Sequence, residues 1–341
     1  MEETLYYNAV ALALRGDRRG IGTIRKYSGT WRAAYEWLRL TGASLPDPAA
    51  AWRGLEKRRV RLLLPDHEEY PRLLREAPDP PLGIYIRGSL PGGKVPFAIV
   101  GTRRATPDGK AAARRFAREI AAANIPIVSG LAMGIDAAAH EGCLEAAAPT
   151  VAVLAGGLDE VYPKQNEYLA RRILEKGGTL VSEYPFRSPP YPARFLERNR
   201  IIAGLARGVL IVEAPAASGA LVTARRAAEA GRDVFAIPGA ITHANSAGPH
   251  ALIRQGAELV TAPGDIFTAY GIARARAERA AARGSSPEET LILKALREHS
   301  APAEVDKIIA MTKLEPRIVN QTLGFLLSQT LIRETAGGYT I

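Results

Sequence analysis

Between Pro96 and Val260 one pattern repeats: a short apolar run, a glycine-containing turn, then an Ala- and Arg-rich stretch with helical spacing. Runs that are apolar at nearly every position must be buried on both faces, and a parallel sheet covered by helices on both sides buries them so. The runs fall at residues 97–100, 125–128, 150–154, 179–181, 209–212, 234–237 and 258–260, with amphipathic helices at 109–123, 166–176 and 218–230 among the connections. This predicts an α/β core, an extended Rossmann-like parallel sheet of about seven strands.

The 341 residues exceed the roughly 100–200 of one domain, and 47% apolar content is ample for packed cores. Apolar residues from Tyr6 to Leu40 recur at helical spacing, punctuated by Gly16, Gly20, Gly22 and Gly29, which predicts a small helical, SAM-like domain over residues 1–75. Its Gly20-Ile21-Gly22 reads either as a plain tight turn or as a helix-hairpin-helix turn whose amides hold a phosphate. Pro78-Asp79-Pro80-Pro81 marks the approach to the core, taken as 80–270. An Ala/Arg-rich stretch at 273–283 and Gly284-Ser285-Ser286-Pro287 read as an exposed helix end and a linker. In the third domain, 286–341, helices at 287–299, 302–311 and 315–328 precede a hairpin, the order of a winged helix.

Forty-five Lys and Arg against 35 Asp and Glu give a net charge of +10, which favours polyanionic partners. The opening segment carries acids where a secretion signal needs positive charge, and no run of about 18 apolar residues appears, so a soluble cytoplasmic protein without a membrane partner is expected. The single cysteine, Cys143, excludes an internal disulfide framework and any CxxC site.

In such a sheet ligands lie outside the carboxyl ends of the strands. There stand Gly101-Thr102-Arg103-Arg104, Ser129-Gly130-Leu131-Ala132, Gly156-Gly157 and Ser218-Gly219, whose glycines, hydroxyls and helix N-termini together suit an anion. Neither a GxGxxG fingerprint nor a GxxxxGK[ST] loop is present, so nucleotide binding lacks its usual support. Arg103, Lys164, Arg198 and Arg200 fall in the same segments, where they either grip phosphates or remain solvated surface charges. Asp136, His140 and Cys143 share a helix face, but three ligands on one helix rarely close a metal site, so they read as hydrogen-bonding and buried residues. Phe186 and Tyr191, in the Pro-rich loop 185–192, either stack on bases or belong to a stiff connector.

The run Ala98-Ile99-Val100-Gly101-Thr102-Arg103, with Ser129 to Asp136 and His140, resembles the core of the DprA/Smf family. Gly156-Gly157-Leu158-Asp159, Tyr162-Pro163, Ser182-Glu183, Phe195, the run from Arg198 to Leu205, Ser218 to Ala224, Pro238-Gly239 and Leu252-Ile253 continue the likeness in the family's order, from Ala98 to Val260. The resemblance implies a protein without catalytic turnover, cofactor or metal. It would bind and protect single-stranded DNA in natural transformation and related recombination, and help load the recombinase RecA. Carried over motif by motif, the DNA-contacting residues would be Gly101, Thr102, Arg103, Ser129, Gly130, Lys164, Arg198, Arg200, Ser218 and Gly219. Leu252 and Ile253 lie about 100° apart around a short helix, so a homodimer through His250, Leu252 and Ile253, also meeting RecA, is what the resemblance implies for that segment. Two other readings are weaker. A lysine-decarboxylase-like phosphoribohydrolase would need a glutamate in register in the loop 215–223, and none stands there; a DNA-bridging protein without RecA loading is the other.

Overall fold

The computed structural model describes residues 2–92, 94–272, 286–299, 301–328, 331–335 and 337–341, so the Ala/Arg stretch at 273–283 and the linker's Gly284 and Ser285 lie outside the described residues. Two compact units are present, Met1–Pro263 and Gly264–Ile341.

All seven expected strands form, each within about two residues of the boundaries drawn from sequence. They are β3 (Phe97–Val100), β4 (Ile127–Ser129), β5 (Thr150–Val153), β6 (Thr179–Ser182), β7 (Gly208–Ile211), β8 (Asp233–Ala236) and β9 (Glu258–Leu259). Adjacent members of this set pair in parallel, β6-β5-β4-β3-β7-β8-β9. Two further strands, β1 (Val60–Leu63) and β2 (Ile84–Gly88), extend the sheet to nine. Both pair antiparallel, β1 on β2 and β2 on β6. They belong to no strand–turn–helix repeat, which is why the periodic pattern does not reveal them.

The connections supply helices α6 (Pro107–Ala122), α7 (Ile135–Glu145), α8 (Glu167–Glu175), α9 (Pro192–Leu205), α10 (Gly219–Glu229) and α11 (Ala247–Arg254). The first of these is started by Thr106, whose hydroxyl accepts from the Gly109 amide, with Pro107 in the first turn, where its missing N–H costs nothing. On one side of the sheet Ile201, Ala203 and Leu205 of α9 and Ala220 and Ala224 of α10 pack against Ala98, Val128, Val153 and Ile211.

The amino-terminal helices are α1 (Glu2–Ala13), α2 (Arg18–Ser28), α3 (Trp31–Leu40) and α4 (Pro48–Lys57), followed by the short α5 (Arg72–Arg75). Tyr7, Val10, Trp31 and Leu55 share one apolar cluster with Leu62, Ala152, Leu154, Leu180 and α8. The helical region therefore joins the sheet's own core, and the chain enters the sheet at Val60, inside the stretch expected to be a separate domain up to residue 75. A charged network fastens the same region: Arg18 pairs with Asp79 at 2.7 Å, and the buried Arg200 holds the Asp79 carbonyl at 2.7 Å and the buried Glu183 carboxylate. Gly20-Ile21-Gly22 lies within α2 with Ile21 buried, so it is neither of the two turns expected of it.

In the second unit, after α12 (Pro263–Ala269), come α13 (Pro287–His299), α14 (Val305–Thr312), α15 (Pro316–Ser328) and a hairpin of β10 (Arg333–Thr335) and β11 (Gly338–Thr340). Ile292, Leu296, Ile308, Val319, Leu323 and Ile332 form their common core. Among the described residues no helix is long and apolar enough to cross a membrane.

Candidate nucleic-acid interface

Successive strands run one way from β3 to β4 and the other from β3 to β7, so the sheet has its topological switch between β3 and β7. Glu213, just beyond β7, closes this point. Its carbonyl accepts from the Thr102 amide at 2.7 Å, and its carboxylate accepts from the Thr106 amide at 2.9 Å, the Thr106 hydroxyl and the Asn245 side chain at 3.2 Å. The loop carrying Gly101, Thr102 and Arg103 is therefore held at both ends. Sequence reasoning missed Glu213; the available signal was a carboxylate placed directly after an apolar strand.

Next to this latch, Arg103 is exposed and its guanidinium lies 4.7 Å from the centroid of the Phe195 ring. Tyr162, 47% exposed, meets the same ring edge-on at 5.6 Å. Three segments, the β3 loop, the β5 loop and α9, thus assemble one cation-and-aromatic surface. Lys164, two residues beyond Tyr162, is exposed, and Asn166 anchors its turn by donating to the Leu131 carbonyl at 2.8 Å. Such a surface offers charge to phosphates and ring faces to bases. Tyr162 and Phe195 belonged to the family-like motifs but were not singled out as surface groups, because nothing in a linear sequence brings residues 33 positions apart together.

Beneath the surface the cations have another task. Arg198, 4% exposed, donates to the Gly130 carbonyl at 2.6 Å and to the Val153 carbonyl. A Cβ on Gly130 would stand 2.6 Å from that guanidinium, so this position must be glycine for Arg198 to reach across. The Gly130 amide in turn donates to the Asp136 carboxylate at 3.1 Å. Burial pushes the Asp136 carboxyl above its ordinary range, opposed by the charge of Arg198 and by the amides of Ala132, Gly101 and Gly130. Burial likewise lowers Arg198 to about 10, partly offset by Asp136. His140 is pushed down to about 3, by burial first and Arg198 second, and its Nδ1 meets the Thr150 hydroxyl at 2.9 Å. It is held neutral, and the thiol of the buried Cys143 is raised to about 12. Among the described residues no group of three His, Cys, Asp or Glu side chains is placed to hold a metal.

The residues expected to contact DNA therefore divide. Arg103 and Lys164 are exposed, and Gly219 is exposed at the start of α10, where the Ser218 hydroxyl accepts from the Ala220 amide at 3.2 Å. Asn199 of α9 ties this helix start in place through the Gly219 carbonyl at 3.0 Å. Ser129 is fully buried and donates to the Ile99 carbonyl at 2.7 Å, and Thr102 is 8% exposed with its hydroxyl accepting from the Arg104 amide. Arg198 and Arg200 are buried: the terminal guanidinium nitrogens of Arg198 meet the Gly130 and Val153 carbonyls and those of Arg200 meet the Asp79 carbonyl and Glu183, while the Nε of each has no hydrogen-bond partner among the described residues. Neither therefore presents an exposed cation at this surface, as the expected grip on phosphates would require. Phe186 is half-buried under the Arg58 guanidinium at 5.2 Å and packs on the core, whereas Tyr191 is 57% exposed. The Pro-rich loop lies over the end of β5, where the Gly157 amide donates to the Ser188 carbonyl at 2.9 Å.

Comparison with known proteins places this architecture. The family model described as DNA recombination-mediator protein A matches residues 61–271. Protein Smf of Escherichia coli is 42% identical over 239 residues, 70% of this chain and 63% of that protein. The DNA processing protein DprA of Bacillus subtilis is 38% identical over 227 residues, covering 65% of this chain and 74% of the relative. The match reaches 55% of the length of Protein Smf from Synechocystis, so this chain spans between about half and two thirds of these Smf relatives. The X-ray structure of DprA from Streptococcus pneumoniae superposes with a TM-score of 0.62 at 37% identity, over 70% of this chain and 80% of that one. A structure of DprA from Helicobacter pylori, described for its single-stranded DNA binding mode, gives 0.56 at 30% identity over 62% and 95%. Matched by the family model over more than half its length, the chain belongs to the DNA recombination-mediator protein A family, the DprA/Smf proteins of DNA processing.

Proposed function

We propose that this protein binds single-stranded DNA across the carboxyl ends of β3, β4 and β5, protects it, and promotes loading of a RecA-type recombinase. The observation that carries the reading is the Arg103–Phe195–Tyr162 surface, with Lys164 on the same turn as Tyr162. Guanidinium and ammonium groups neutralise phosphates, rings stack on bases of any identity, and the latch of Glu213 holds the loop ready. Ser218 and Gly219 act through the α10 helix start, while Gly101 and Gly130, whose amides face the Asp136 carboxylate, shape the loops beneath the surface. The single-stranded DNA named for the Helicobacter pylori structure supports the same ligand here.

The working unit is a homodimer through α11. Leu252 is partly buried against the core, which favours Ile253, itself partly buried, as the residue that meets the partner, with His250 hydrogen-bonded to Gly239 beside it. Three helices followed by a hairpin support a winged-helix reading of the second unit, and since α15 carries one basic residue, Arg317, its role is protein contact more than groove reading. The protein works in the cytoplasm by binding, without turnover.

The deciding experiment is fluorescence anisotropy with an oligo-dT strand and a matched duplex across a salt series. The single strand is expected to bind tighter, and Arg103→Ala with Lys164→Ala to weaken it by about tenfold or more. Equal affinity for the duplex, or wild-type affinity in the double variant, would refute the site. Strand exchange by RecA on coated DNA tests the loading step separately.

A further inference from the structure

A cavity of about 1030 Å³ opens at the β1 margin of the sheet, lined by none of the residues of the strand-end surface. All four residues of β1 line it. Strand β1 is the last in the sheet order, with one edge on β2 and no strand on the other among the described residues. Leu62 packs in the cluster shared by α4 and α8, while Leu63 packs in the cluster on the opposite side of the sheet. Residues from both faces of β1 thus border the same cavity, so the unpaired edge itself opens into it. Backbone N–H and C=O groups on such an edge are a template for another strand.

The rim is cationic in a specific way. Glu69 is already engaged by Arg61 through bonds of 2.8 and 2.7 Å, and Glu56 accepts from the Trp52 indole at 2.9 Å. Arg59, Arg87 and Arg171 also line the cavity and make no ion pair among the described residues. In the antiparallel register Arg87 stands opposite Val60, so it shares the face of β1 on which α4 supplies Trp52 and α8 supplies Arg171 and Leu174. One face of the edge is therefore cationic and apolar; the other is neutralised by its own Arg61–Glu69 pair. A nucleic-acid strand would bring a charge at every nucleotide past Glu56 and Glu69 and leave the strand edge unused. An extended peptide alternates its side chains, so its acids can meet the arginines while its amides pair with β1. Arginines on a short edge discourage pairing with like-charged chains and select an acidic one.

We propose that the β1 edge docks an extended acidic segment of a protein partner as a tenth strand, with its carboxylates at Arg59, Arg87 and Arg171 and its apolar side chains on Trp52 and Leu174. The test uses the full chain and a labelled peptide of about nine residues with Asp and Leu in turn at every second position and Ser between them, so that acids and apolar groups share one face, measured by anisotropy. Saturable binding is expected, with a loss of about tenfold or more in the variant carrying Arg87→Glu and Arg171→Glu. The same peptide N-methylated at alternate amides should also lose binding, which needs no protein variant to fold. Absence of saturable binding, undiminished binding of the N-methylated peptide, or equal binding of a Lys-for-Asp peptide would overturn the proposal. So would displacement of the peptide by oligo-dT from the variant with Arg103→Ala and Lys164→Ala, which would make the groove a nucleic-acid site.

Discussion

Replacing Arg198 by methionine tests whether the cation beneath the interface is structural. Methionine keeps most of the volume, so cavity formation contributes little. The substitution removes the pair of bonds to the Gly130 and Val153 carbonyls and the positive charge near the buried Asp136. Arg198 and Asp136 are not in direct ion-pair contact, so the about 3–5 kcal/mol for removing one member of a buried pair is the upper bound, and a deficit of about 2–4 kcal/mol is expected near neutral pH. The pH dependence has a definite sign. Burial already raises the Asp136 carboxyl in the folded protein, and losing Arg198 raises it further above its unfolded value of about 3.9. Between those two values the folded variant binds a proton that the unfolded chain does not, so its stability falls as pH rises through that window, by at most about 1.4 kcal/mol per unit. Its deficit should therefore shrink on going from about pH 7 to about pH 5. His140, neutral in both proteins over this range, nearly drops out of the difference. The three tryptophans, Trp31, Trp37 and Trp52, all lie in the first unit, so urea unfolding followed by their fluorescence reports on it. Asp136→Asn added to Arg198→Met should recover about 1–3 kcal/mol at neutral pH. A deficit below about 1 kcal/mol, or one independent of pH, would refute the buried-pair account.

Other perturbations separate the remaining roles. Glu213→Ala should cost about 1–3 kcal/mol by orphaning the Thr106 and Asn245 donors and should weaken oligo-dT binding by loosening the Arg103 loop, whereas Glu213→Gln keeps most of both; unchanged anisotropy for the alanine variant would sever that link. Arg200→Met should destabilise by about 3–5 kcal/mol through the unpaired Glu183 while leaving the folded protein's DNA affinity unchanged, and a loss of affinity at intact stability would restore Arg200 as a contact. Ile253→Arg should give a folded monomer and Leu252→Arg a destabilised chain, because Leu252 packs on the core. Sedimentation of Ile253→Arg as a dimer would move the interface elsewhere.

Much of this architecture was legible in the sequence because a parallel strand buried on both faces leaves a signal of its own. Most runs from Phe97 onward are largely apolar and lead, usually through a glycine-containing turn, into a helix. Strands β1 and β2 carry Arg61 and Arg87 among their apolar residues and adjoin prolines, so they break the pattern, and only the tertiary pairing of β2 with β6 makes them strands. The same limit applies at the site. Loop glycines and Arg103 could be placed at strand ends from the repeat alone. Burial of Arg198 and Arg200 could not, since an arginine on a helix reads identically whether it faces water or a carboxylate distant in the sequence. The partners Asp136 and Glu183 lie 62 and 17 positions away, and nothing local marks them.

The buried position of Arg198 also changes how its effect on DNA should be read. The guanidinium lies 6.0 Å from the Phe195 ring whose other neighbour is Arg103, and it ties the β4 loop to α9 through Gly130. A variant at this position would therefore disturb the surface that Arg103 and Tyr162 share and would weaken binding while every phosphate keeps its cation. Counterion release distinguishes the two cases, because removing one cation from a phosphate lowers the slope of log affinity against log salt by about one. Arg103→Ala and Lys164→Ala should each reduce the slope by about that amount. Arg198→Met, measured where it is folded, should lower affinity at every salt concentration with the slope unchanged, as a positioning residue does. A slope reduced by about one in Arg198→Met would mean that the guanidinium leaves its carbonyls and reaches the DNA after all.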